Sequence, residues 1–86
     1  MTSTRQEVYA AIDGERDYQD SKNPRALPLG EELALLTKYS GKALEVWSNQ
    51  PFDPSEEEAR AVLRKIAGIC VRALEHYGAP RRPNVP

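Results

Sequence analysis

An all-α protein of three main helices is what this sequence predicts, with the second and third forming an antiparallel hairpin. Three observations lead there. Apolar residues recur at helical spacing in three segments. Two loops marked by prolines separate those segments. Helix start and stop signals stand at several of the expected ends.

The first helix is expected over about residues 4–18. Thr4 with Glu7, or Ser3 with Gln6, supplies a capping box. Val8, Ile12 and Gln19 share a face, flanked by Ala11 and Tyr18, and Glu15 sits in its middle. Asn23-Pro24 and Leu27-Pro28 then exclude a continuous helix. The second helix is expected from about Glu31 to Trp47, with Glu31 and Glu32 in its first turn. Leu33, Leu36, Ala43 and Trp47 form one stripe, widened by Leu35, Tyr39 and Val46. Pro51 and Pro54 enforce the second loop, and Phe52 is expected to plug the core beneath it.

The third helix has the clearest start, a capping box of Ser55 and Glu58 with acids in the first turn. Its apolar face is Ala59, Val62, Leu63, Ile66, Ile69, Cys70, Ala73, Leu74 and Tyr77. Gly78 is placed to end it, with Pro80 beyond. Residues 1–78 thus read as one helical domain and residues 79–86 as an extended tail. Short loops favour antiparallel packing of the second and third helices, with the first lying across them. A chain of 86 residues offers a limited core, so a homo-oligomer is expected.

Bulk properties narrow the function. Twelve basic against thirteen acidic residues leave no polycation suited to DNA. One cysteine, Cys70, excludes an intrachain disulfide and suits a reducing compartment. With one histidine as well, no His/Cys zinc site is expected. The N-terminus carries acids and no long apolar run, and nothing approaches a membrane span, so a cytoplasmic protein is expected.

Candidate binding residues stand at the border of the apolar faces. Glu58, Ala61, Lys65, Gly68, Arg72 and His76 line one edge of the third helix, where Gly68 would leave a shallow groove between two cations. Lys38 and Lys42 occupy the matching border of the second helix beside Tyr39. An aromatic ring among cations suits a nucleotide, offering stacking to the base and charge to the phosphate. The plainer account is that such lysines snorkel over apolar surface, and that Arg72 forms a structural ion pair with Glu15. His76 suits the C-terminal end of a helix, and Cys70 reads as a small core residue.

ERDYQD at residues 15–20, GEELALL with a later G-x-A, and LRKIAGICVRALE together resemble the small MazG-like proteins of phage genomes, members of the all-α NTP pyrophosphatases. The resemblance covers about residues 12–75. It implies a helical dimer or tetramer that binds nucleotides, with acids of two helices holding Mg²⁺ in active relatives. Here Lys38, Tyr39 and Lys42 fall where that pattern has acids, as do Ala61 and Val62. Lys65 and Arg72 come from the same later stretch, and Glu31 and Glu15 match without completing a metal site.

The expectation is therefore a non-catalytic binder or sponge for a phosphorylated nucleotide, such as a host immune signal, using Lys38, Tyr39, Lys42, Lys65 and Arg72 and no cofactor. One alternative is an interaction module that inhibits a host protein through Trp47, Phe52 and Arg81-Arg82. A second is a residual Mg-dependent pyrophosphohydrolase using Glu15, Glu31 and Glu32.

Overall fold

A computed structural model describes residues 2–49, 52 and 56–83, and among them the only regular elements are three helices. Helix α1 spans Arg5–Lys22, α2 Leu29–Ser48 and α3 Glu57–Tyr77. α1 opens on the expected Thr4 capping box: the Thr4 hydroxyl accepts from the Glu7 amide, and the Glu7 carboxylate accepts from the Thr4 amide. It runs one turn beyond the sequence expectation, because nothing before Asn23-Pro24 breaks it.

α2 begins two residues earlier than expected, directly after Pro28. The proline carbonyl accepts from the amides of Glu31 and Glu32, so the fixed proline φ starts the first turn without a side-chain cap. α3 starts at Glu57, preceded by Glu56 in the left-handed region at φ 54°. The expected Ser55 cap lies outside the described residues. α3 stops where the sequence places its stop, at Gly78 with φ 97°, whose amide returns to the Leu74 carbonyl.

α3 is the central helix. α2 packs closely along it, and the order of paired residues (Glu32 with Arg72, Tyr39 with Lys65) makes the two antiparallel. α1 packs against α3 alone and makes no comparable contact with α2, so it does not straddle the hairpin. α1 and α2 thus stand apart on two flanks of α3 and leave a cleft between them.

Very little apolar surface is fully covered. Among the described residues only Ala59, Ile69 and Ala73 are buried apolar residues, all on α3. The other buried side chains are polar: Glu15, Arg16 and Gln19 on α1, Glu32 on α2 and Arg72 on α3. Phe52 is 94% exposed, so it does not plug the core. Tyr77 donates from its hydroxyl to the Leu27 carbonyl at 2.7 Å, fastening the first loop to the end of α3.

Candidate functional site

The cleft between α1 and α2 has a volume of about 690 Å³, within the usual range of ligand sites. Its floor is α3, through Glu58, Ala61, Val62, Arg64 and Lys65. One wall is α1, with Gly14, Glu15 and Tyr18, and the other is α2, with Tyr39 and Lys42. Antiparallel pairing brings Tyr39, midway along α2, over Lys65, midway along α3.

The lysines converge on that ring. Lys65 Nζ lies 4.2 Å from the Tyr39 centroid and Lys38 Nζ 5.7 Å from it, both within cation–π range. The Tyr39 hydroxyl is held below its ordinary pKa of 10.0, first by hydrogen bonding to Lys65 and then by the charges of Lys65, Lys38 and Lys42. Burial opposes this shift and loses. Four of the five sequence-selected residues are therefore together: Lys38, Tyr39, Lys42 and Lys65. The three lysines are exposed at the rim, and Tyr39 is half-buried.

Arg72 is not among them. Its guanidinium donates from Nε to Glu32 Oε2 at 2.9 Å and from Nη2 to Glu32 Oε1, and both side chains are buried, Glu32 completely. The suggested pair of Arg72 with Glu15 does not form. Glu15 instead accepts from Arg64 Nε at 3.0 Å and from Gln19 Nε2 at 3.1 Å. The physical reason is placement: α1 lies on the flank of α3 that carries Arg64, whereas Arg72 turns toward the start of α2.

Gly68 also differs from expectation. It is buried beneath α1, and a Cβ there would lie 2.8 Å from Gln19 Nε2 and 2.8 Å from Glu15 Cγ. The missing side chain admits α1, not a ligand. Gln19 completes the junction by donating to the Lys65 carbonyl at 3.1 Å, while its Oε1 is buried without a hydrogen-bond partner.

Sequence reasoning missed two residues of the cleft. Arg64 is half exposed, with its Nε bridging to Glu15 on the cleft wall. Tyr18 was taken as a flank of the α1 apolar face, yet its ring is 60% exposed in the cleft. The signal for Arg64 was Glu15 itself, an acid on an apolar face that needs a cation. Among the described residues no three His, Cys, Asp or Glu side chains converge as a metal site, and no helix is long and apolar enough to cross a membrane. No family model, curated protein or solved structure matches the chain.

Proposed function

We propose that this chain binds a phosphorylated nucleotide in the α1–α2 cleft and does not turn it over. The observation that carries the reading is the convergence of Lys38, Lys42 and Lys65 on Tyr39. Three ammonium groups around one phenol leave local positive charge that a phosphate would neutralise. Lys65 lies over the Tyr39 ring at 4.2 Å, so a base finds the more exposed ring at Tyr18 across the cleft, where Lys22 Nζ stands farther off at 5.7 Å. The likeness to MazG-like proteins supports the ligand class. In the phage setting it suggests, the nucleotide would be a signal of host defence, sequestered in the cytoplasm.

The carboxylates do not favour hydrolysis. Glu32 is sealed by Arg72, and Glu15 is engaged by Arg64 and Gln19. The chain is also proposed to act as a homo-oligomer, because three helices bury so little apolar surface on their own. Contact with a host protein is a second reading, favoured by Phe52 and Trp47, which are 94% and 52% exposed.

The test is a thermal-shift screen with linear and cyclic nucleotides, with and without Mg²⁺, followed by analysis of the nucleotides for products. Stabilisation by intact nucleotide is expected, and it is expected to vanish in Lys42→Ala and Lys65→Ala, which leave the fold unchanged. Bound phosphate should also move the Tyr39 ionisation back up toward its ordinary value, visible in an ultraviolet titration. A flat response across the whole panel would end the reading, and consumption of the nucleotide would replace it with catalysis.

A further inference from the structure

The surface of the α2–α3 hairpin that faces away from the cleft has little cover among the described residues. On α2, Leu29, Leu33, Leu36, Ser40, Ala43 and Trp47 follow the alternating four-then-three spacing of a packed helical seam. Leu29, Leu33 and Trp47 are 45%, 54% and 52% exposed. On α3, Leu63, Ala67, Cys70, Leu74 and Tyr77 repeat the same spacing, again with large exposed members. The two stripes adjoin, since Ala43, Leu44 and Trp47 of α2 share a depression with Ala59 and Leu63 of α3.

Charge is sparse on this surface, with Glu56 and Arg60 at the end near Trp47. Glu31, Lys38, Lys42 and Glu45 of α2 fall on its other side at helical spacing, and Glu32 turns into α3, buried against Arg72. On α3, Arg60 stands only at the edge of the stripe. A helix exposed to water over one whole side normally carries charge there.

The total surface says what kind of cover is needed. The chain exposes 7056 Å², whereas a folded monomer of its 9.6 kDa mass exposes about 5,100 Å². The excess is roughly 2,000 Å². Even with half of it assigned to extended segments, roughly 1,000 Å² per chain remains, and a pair burying that amount reaches the lower end of obligate homodimers.

We infer that this surface binds the same surface of a second copy, giving a four-helix core of two α2–α3 hairpins with the two clefts facing outward. A second copy fits better than a foreign partner, because a fold this poor in buried apolar residues needs its cover whenever it is folded. The net charge of −1 does not oppose self-association. This assignment rests on the homo-oligomer reading and is independent of the ligand.

The test is the solution mass of the full chain by light scattering across a dilution series, together with its melting temperature. A mass of two chains or an even multiple is expected, with melting that rises with concentration. Leu33→Glu and Leu74→Glu should shift the mass toward one chain and lower the melting temperature. Tyr9→Glu, an exposed aromatic away from the surface, should change neither. A stable, fully helical single chain at all concentrations would overturn self-association itself. An oligomer that survives both leucine substitutions would overturn only the choice of surface. Should those variants fail to fold, Cys70 of the unaltered chain gives a second measurement: its reaction with a bulky thiol reagent should quicken on dilution, and a rate independent of concentration in a dissociating oligomer counts against this surface.

Discussion

The α1–α3 contact and the α2–α3 contact bury different chemistry. Every buried residue of α1 is polar: Glu15, Arg16 and Gln19 meet Arg64, Glu75 and the Lys65 carbonyl over the bare backbone of Gly68. The buried apolar residues Ala59, Ile69 and Ala73 all belong to α3, with Ala59 beside Ala43, Leu44 and Trp47 of α2, and toward α2 the helix presents the buried ion pair of Arg72 with Glu32. The apolar contact gains stability in proportion to area. The polar one gains little net energy per hydrogen bond, but it demands particular partners at particular distances. α2 therefore supplies adhesion, and α1 supplies position. Position is what the cleft needs, since α1 is the wall that carries Tyr18.

The largest effect is expected at the ion pair on the α2 side. Arg72→Ala leaves the fully buried Glu32 without a partner, which costs about 3–5 kcal/mol, most of the stability of a small domain. Denaturant unfolding should show collapse of the whole fold, including α2. Replacing both residues, Glu32→Leu with Arg72→Met, should recover most of the loss, because no charge then remains buried. A mild effect of Arg72→Ala alone would mean that the two contacts are less different than described.

A smaller and more local effect is expected on the α1 side. Gly68→Leu has no space beneath Gln19 and Glu15 and should detach α1 while α2 and α3 stay paired. Hydrogen exchange would show loss of protection over residues 5–22 and little change over residues 57–77. Uniform loss across all three helices would make α1 an integral part of the core.

The smallest effect concerns the free end of α1. Glu7 is held below its ordinary pKa of 4.5 by hydrogen bonds from the Thr4 backbone and then the Thr4 side chain. A depressed acid contributes stability above its unfolded value and loses it as pH falls through the folded one. Acidification below about pH 4 should therefore fray the first turn of α1, as seen in amide exchange of residues 5–8.

Helix existence and the antiparallel hairpin were legible in the sequence, because apolar spacing and prolines act locally. Gly78 and the Thr4–Glu7 box were legible for the same reason. The clustering of Lys38, Tyr39, Lys42 and Lys65 followed from helix borders that had to meet across an antiparallel pair. Arg72 was misread because its partner lies forty residues away on α2, and helical spacing within α3 contains no information about which acid arrives there. Gly68 was misread for a related reason: a gap on one helix looks the same from sequence whether a ligand or another helix fills it. Phe52 shows the limit of composition, since an aromatic residue in a loop does not have to be buried.

The final turns of α3 hold three long-range polar contacts: Arg72 to Glu32, Glu75 to Arg16 and Tyr77 to the Leu27 carbonyl. In kinetic terms, all three must wait for the C-terminal end of α3. Tyr77 and Leu27 are 50 residues apart in sequence, so this tie on the loop joining α1 to α2 closes only after the whole of α3 has been made. The Arg16–Glu75 tie on α1 consequently closes after the Glu15–Arg64 contact can form, and a chain cut short before Glu75 would contain the entire cleft sequence while lacking that second hold on α1.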